Sequence, residues 1–284
     1  MKHLLLKTIA AVVLVGCGQG PEIPLIDAVR IGDLAAVKRA VQNGQDVNAD
    51  LGMLGTPLHT TGDIEIAKFL IASGADVNQK NNRGESPLFY ANTKLLELLI
   101  ANGGNIHSKD LNGNTPLFKM VDVGANESVL KLISKGAEIN IKNSSGSTPL
   151  HVATKNGYVE IVRTLTFNNA DVDIQNIIGQ TCLHIAVDKG QKDVVKILTD
   201  KGADVDVKTD DGVTPLLVSV VNGYKEIVEL LISKGADVNP KVDSGRRKGK
   251  TPVDAAIDTN RAEIIAILRK HGGKTGEELK AEGK

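Results

Sequence analysis

The chain has 284 residues, with 34 basic and 34 acidic side chains and hence a formal net charge of zero. This balance provides no long-range attraction for nucleic acid or for anionic lipid, so we expect no nucleic-acid partner. The hydrophobic fraction is 41%, yet aromatic residues make up only 2% and Trp is absent, which favours closely packed helices with small aliphatic cores.

Residues 1–16 have the pattern of a secretory signal peptide. Lys2 and Lys7 flank the n-region, and the apolar run 9–15 is too short to cross a bilayer, which needs about 20 residues. The run ends in a sequence that resembles a bacterial lipobox, Leu14-Val15-Gly16-Cys17. We therefore expect cleavage before Cys17, lipidation of its thiol and attachment to a membrane through this lipid.

The lipobox resemblance also implies a location. In sorted lipoproteins a residue other than Asp after the lipidated Cys implies export to the outer membrane, and Gly18 stands there. The expectation is a cell-envelope lipoprotein of a diderm bacterium, held at the outer membrane and facing the periplasm. Residues 17–22 form a tether of at most about 20 Å. The alternative is an ordinary signal peptide with a chance Cys.

From residue 23 onward the sequence repeats. A tetrapeptide similar to Thr-Pro-Leu-His begins near residues 23, 56, 86, 115, 148, 181, 214 and 251, which we number repeats 1 to 8. A second motif similar to Gly-Ala-Asp-Val-Asn keeps step with it at 74–78, 136–140, 202–206 and 235–239. Period and motifs together resemble the ankyrin repeat over residues 23–271. The resemblance implies an all-α repeat solenoid of about eight helix-turn-helix units joined by hairpin-like turns.

Each unit carries signals for two helices. Thr caps the first helix, and Pro takes its first position, where the missing N–H costs nothing. The second helix has an apolar stripe at helical period, such as Val194, Val195 and Leu198 in repeat 6. Gly then supplies a left-handed C-cap, which Asn169 replaces in repeat 5.

Departures from the period predict local features. Repeats 2 and 3 lack three and four residues of the first helix, which predicts a notch in the wall that the first helices form. Four residues added in repeat 7 produce a basic finger at 244–248. The tail 272–284 contains a capping-box pattern at Thr275 and Glu278, which predicts a short helix over Glu277–Ala281 that covers the last repeat.

No group of residues supports catalysis or metal binding. His59, His151 and His184 recur at one repeat position, so consecutive copies lie about 10 Å apart, too far to share a metal ion. The ankyrin resemblance implies instead that this His links neighbouring hairpins. Cys182 occupies a first-turn position where a helix dipole could lower its pKa, but we expect an inert residue in a packed turn. We predict no enzyme activity, cofactor, metal or small-molecule substrate.

The resemblance further implies that a protein partner meets the concave side, at hairpin tips and exposed positions of the first helices. Candidate partner-binding residues at those positions are Leu111, Asn114, Lys155, Ile177, Ile178, Asp188, Asp211 and Val213. Apolar residues at turn tips are unexpected unless a partner covers them. The alternative is that the isoleucines pack sideways onto adjacent hairpins and that the deletions in repeats 2 and 3 are drift.

We therefore expect a non-catalytic protein–protein interaction scaffold anchored to the cell envelope. One rival hypothesis is an inhibitor or immunity-type protein that binds a single secreted or periplasmic enzyme. Another is a hydrolase hidden in a degenerate repeat, for which the sequence provides no convergent nucleophile and base.

Overall fold

A computed structural model describes residues 23–245 and 248–283 of the chain. The predicted signal peptide, Cys17 and the tether lie outside the described residues. So do Arg246 and Arg247 of the predicted basic finger.

Throughout the described residues the architecture is helical, without strands, and consists of helix pairs in succession. The first helices of repeats 1 to 8 are Leu25–Ile31, Pro57–Thr60, Pro87–Tyr90, Pro116–Asp122, Pro149–Asn156, Cys182–Asp188, Pro215–Asn222 and Pro252–Asp258. The second helices are Leu34–Gln42, Ile64–Ala72, Thr93–Ala101, Asn126–Ser134, Val159–Phe167, Lys192–Asp200, Lys225–Ser233 and Ala262–Lys270. A 3₁₀ turn at Gly52–Leu54 lies in the loop before repeat 2, and a last helix spans Gly276–Ala281. The predicted all-α repeat array is confirmed.

The first helices begin as the motif predicts. Thr148 is the N-cap of Pro149–Asn156, and a reciprocal capping box joins it to His151, the third residue of the helix. Thr56 and Thr181 form the same box with the equivalent His. Asn169 adopts a left-handed φ of 65°, in the position where other repeats use Gly, so the predicted substitution is confirmed.

The array curves because its two layers pack differently. First helices of neighbouring repeats lie closer together than the second helices do, which places the first helices on the inner side and the second helices on the outer side. A continuous aliphatic core runs between the layers from Leu25 to Leu268. Since each repeat buries its stripe against its neighbours, the stability of any one repeat depends on the adjacent ones.

Repeats 2 and 3 have the shortened first helices that the sequence predicted. Pro57–Thr60 has four residues and Pro87–Tyr90 is a four-residue 3₁₀ helix, whereas the other first helices have seven or eight. The second helices of both repeats keep nine residues. The lost turns therefore fall on the inner wall alone.

The last helix packs onto repeat 8. It begins at Gly276, one residue before the predicted start, because Thr275 is the N-cap of a capping box with Glu278. Leu279 of this helix is buried, and the Gly276 N–H donates to Asp254 Oδ2 at 2.8 Å. The Arg269 guanidinium beside Glu278 lowers the pKa of that carboxyl to about 2.

Candidate protein-binding surface

The hairpins between repeats form a connected row. The Leu111 N–H donates to the Arg83 carbonyl at 2.9 Å, and the Ile177 N–H donates to the Ser145 carbonyl at 3.1 Å. Gly146 permits the second of these close approaches: its φ is +70°, and a Cβ there would lie 2.9 Å from the Ile177 nitrogen. Side chains at the hairpin tips therefore have defined positions along one edge of the array.

The His residues of the repeat motif join each first helix to the next hairpin. The Nε2 atom of His59 lies 3.0 Å from the Glu85 carbonyl oxygen, and that of His184 lies 3.0 Å from the Val213 carbonyl oxygen. In His151 the distance to the Gln180 carbonyl is 3.2 Å. Burial lowers the pKa of all three imidazoles. The structural role implied for these residues is confirmed.

Repeats 3 and 4 lack this link, because Phe89 and Phe118 occupy the His position and cannot donate a hydrogen bond. A hollow of about 340 Å³ opens there on the inner side, beside the shortened helix Pro87–Tyr90. Its lining consists of Arg83, Glu85, Phe89, Asp110, Asn112, Asn114, Phe118, Lys119, Asp122 and Val152. The hollow thus borders the shortened first helix of repeat 3, whereas no residue of Pro57–Thr60 belongs to its lining among the described residues.

Glu85 is a member of this lining that the sequence did not single out. Its side chain is buried, and Oε2 accepts hydrogen bonds from the Tyr90 hydroxyl and from Asn81 Nδ2, the latter at 3.3 Å. Burial, and then the bond to Glu85, raise the pKa of Tyr90. The signal was present in the repeat register: the residue before the N-cap of the first helix is neutral at Asn114 but a carboxylate at Glu85.

A second hollow adjoins the first and extends across repeats 5 and 6. The two hollows together form a groove on the inner side of the array. The second hollow has a volume of about 380 Å³ and shares Val152 with the first. Its lining consists of Asn143, Ser145, Ser147, His151, Val152, Lys155, Asn176, Gln180, Ile185, Asp188 and Lys189. The structure therefore brings the predicted residues Lys155 and Asp188 together, and it places the predicted Asn114 in the adjoining hollow.

The predicted apolar tips lie beside this groove and are open to solvent. Leu111 is 76% exposed, Ile177 69% and Ile178 54%. The alternative that the isoleucines pack sideways onto neighbouring hairpins is therefore wrong. Three large apolar side chains along one edge of a groove are typical of a surface that another molecule covers.

Comparison with protein families agrees with this geometry. A model of three consecutive ankyrin repeats matches residues 90–176 and 183–278, and a model of a single ankyrin repeat matches residues 55–82. These matches cover more than half of the chain. The chain belongs to the ankyrin-repeat family. A search of curated proteins finds no match. Ankyrin repeats imply protein–protein interaction, and ankyrin-repeat proteins are typically non-catalytic binders.

Two predicted residues are not free tips of this ankyrin array. Val213 was placed at a hairpin tip, but the structure contradicts this: the residue directly precedes Thr214, its carbonyl accepts from His184, and its side chain packs partly against the core. Asn114 occupies the equivalent position and is half-buried. Its amide donates to Asp110 Oδ2 at 3.0 Å, so its side chain already has a partner within the hairpin.

Asp211 is an exposed tip residue, and its carboxylate accepts a hydrogen bond from Ser244 Oγ at 2.5 Å.

Cys182 has the inert environment that was expected. It is fully buried at the first position of its helix, and burial raises the pKa of its thiol. Helices in the described ranges are all too short or too polar to span a membrane.

Proposed function

We propose that this ankyrin-repeat chain is a non-catalytic scaffold that binds a protein partner in the groove between Arg83 and Lys189. The exposure of Ile177 and Ile178 beside the groove carries the proposal. Burying one such side chain in an interface contributes about 1.5–3 kcal/mol, so the two isoleucines can form the centre of a binding site. Lys155 and Asp188 would supply the polar contacts that fix orientation.

Site-directed photocrosslinking in intact cells tests this placement. A photoreactive phenylalanine analogue at position 178 should give a discrete adduct, which mass spectrometry can identify. The same analogue at position 123 is the control, because Val123 is 56% exposed but lies in the turn between the two helices of repeat 4. Adducts at 123 and none at 178 would place the partner elsewhere.

Charge substitution tests the role of the two isoleucines. The double change Ile177→Asp with Ile178→Asp should abolish capture of the crosslinked partner and leave the melting temperature unchanged, because both side chains are exposed. Loss of folding with capture retained in the remaining folded protein would refute the site. Recovery of one stoichiometric enzyme whose activity falls on binding would instead identify the chain as an inhibitor.

We also propose that the chain is a lipoprotein of the cell envelope, held at the outer membrane through Cys17 and facing the periplasm. The support is the lipobox-like sequence Leu14-Val15-Gly16-Cys17. The mature protein should begin at Cys17 and partition into detergent, and Cys17→Ser should leave it unprocessed by the lipoprotein pathway. A mature terminus elsewhere, with a protein that stays in the aqueous phase, would disprove the anchor.

A further inference from the structure

A shallow hollow on the outer side of the array has an apolar lining that the groove does not explain. Leu130 and Phe167 line it, with Ile197 beside them, and its volume is about 400 Å³. Phe167 is 79% exposed, the largest value among the exposed large apolar side chains of the described residues. Both Leu130 and Phe167 stand on second helices, which form the side of the array away from the groove.

The other repeats show that the fold does not require apolar residues at these positions. Phe167 is the last residue of its second helix, and its counterparts are Gln42, Ala72, Ala101, Ser134, Asp200, Ser233 and Lys270. Leu130 is the fifth residue of its second helix, and its counterparts are Lys38, Lys68, Glu97, Arg163, Lys196, Glu229 and Ala266. Leu130 and Phe167 thus differ from most of their counterparts, belong to adjacent repeats and line the same hollow. Neither side chain is part of the packed core.

The charges of this lining have one sign. Among the described residues, Arg163 and Lys201 are the only ionisable members of the lining, and no carboxylate belongs to it. Lys201 Nζ lies 5.9 Å from the centre of the Phe167 ring and has no carboxylate within salt-bridge distance in the part of the chain that the structure describes. Arg163 Nε lies 3.7 Å from Glu160 Oε1, and both side chains are exposed, so a carboxylate of a ligand can compete for this weak pair. The hollow therefore combines an apolar floor with two cationic side chains, and its lining among the described residues includes no carboxylate.

We propose that the hollow formed by Leu130, Phe167, Arg163 and Lys201 is a second docking site, which binds a short acidic segment of another protein. An apolar side chain of that segment fills the hollow, and flanking carboxylates meet the two cations. Charge complementarity selects this occupant. A second copy of the same surface would bring like charges together. A flat lipid surface would leave the concave floor unfilled and gain only two cationic contacts.

Nuclear magnetic resonance of the ¹⁵N-labelled full chain tests the proposal, with the peptide acetyl-Asp-Glu-Leu-Phe-Glu-Asp-amide as the probe. Amide signals of Thr166, Phe167 and Lys201 should shift with a dissociation constant of about 1 mM or tighter. The same peptide with Lys at the four acidic positions should bind at least about tenfold more weakly. No shift at these residues, or equal binding of both peptides, would overturn the proposal. Binding of phosphatidylglycerol vesicles at Phe167 without peptide binding would overturn it in favour of lipid.

Substitutions by the residues of other repeats provide matched variants. Phe167→Ser inserts the residue found in repeats 4 and 7, and Leu130→Ala inserts the residue found in repeat 8, so both remove apolar contact without adding charge. Each variant should bind the acidic peptide at least about fivefold more weakly and keep its melting temperature unchanged. Val123→Asn is the control: it removes an apolar side chain that is 56% exposed outside the hollow and inserts the residue found at that position in repeats 5 and 7. Its peptide affinity should match that of the parent. A fall in melting temperature with affinity retained in Phe167→Ser would assign Phe167 a structural role and refute the site.

Discussion

His151 connects its own helix cap to the next hairpin through the Gln180 carbonyl. The Thr148 N–H lies 3.2 Å from Nδ1, and because an N–H can only donate, Nδ1 accepts and the neutral ring carries its proton on Nε2. Nε2 in turn lies 3.2 Å from the Gln180 oxygen, to which it donates. A second proton on Nδ1 would break the bond from Thr148. The neutral imidazole is therefore the form that the fold requires.

This arrangement predicts that acid weakens the array. Burial lowers the pKa of His184 from its ordinary value of 6.5, and the hydrogen bond to the Val213 carbonyl opposes this effect only in part. The unfolded chain then binds the proton more readily than the folded one, so the contribution of the neutral ring is complete above pH 6.5 and is lost as the pH falls from there towards the folded pKa. The urea midpoint should be lower at about pH 5.5 than at about pH 7.5.

The variant His184→Phe isolates the contribution of this residue, because Phe occupies the same position in repeats 3 and 4. Loss of the link to Val213 should cost about 1 kcal/mol at neutral pH. The difference between the two urea midpoints should shrink in this variant. An unchanged pH dependence would show that other groups produce the effect.

Local stability should be lowest near the shortened repeats. The first helices of repeats 2 and 3 have four residues each, and Phe89 provides no link to the following hairpin. Because the stability of a repeat array is roughly a sum of unit and neighbour contributions, residues 56–112 should open first. Hydrogen exchange monitored by mass spectrometry measures this. Equal or greater protection there than over residues 181–231 would contradict the prediction.

Substitutions at two glycines distinguish the stability cost of backbone strain from the cost of steric contact. Gly235 has a φ of +94°, and a Cβ added there would meet no atom within 4 Å, so Gly235→Ala should cost about 1–2 kcal/mol from conformation alone. Gly179 has a φ of +73°, and its Cβ would also lie 2.6 Å from the Asp210 backbone. Gly179→Ala should therefore cost about 3 kcal/mol or more. Chemical denaturation of both variants gives the comparison, and equal losses would show that the hairpins can move apart freely.

The last helix should protect the end of the array. Leu279 is 6% exposed, so Leu279→Ala should cost about 2 kcal/mol and increase hydrogen exchange in helix Ala262–Lys270. Lys280→Ala is the control, because Lys280 is exposed on the same helix. If the control raises exchange as much as Leu279→Ala does, the burial of Leu279 does not account for the effect.

The sequence by itself determined the repeat period, the starts of the first helices and the left-handed turn at Asn169. These features follow from interactions within a few residues, such as a Thr cap bonding to the third helical residue, and so they are visible in local patterns. The deletions in repeats 2 and 3 were visible for the same reason, since a fixed period shows every missing residue.

Only the tertiary structure decided which side chains meet across repeats. The sequence predicted Val213 as a free tip residue, but the stacking of hairpins packs its side chain partly against the core. Its carbonyl accepts a hydrogen bond from His184. Leu130 and Phe167 belong to different repeats, and only the packing of second helices places them around one hollow. The physical reason is that exposure depends on what the neighbouring repeats cover, which a pattern within one repeat does not contain.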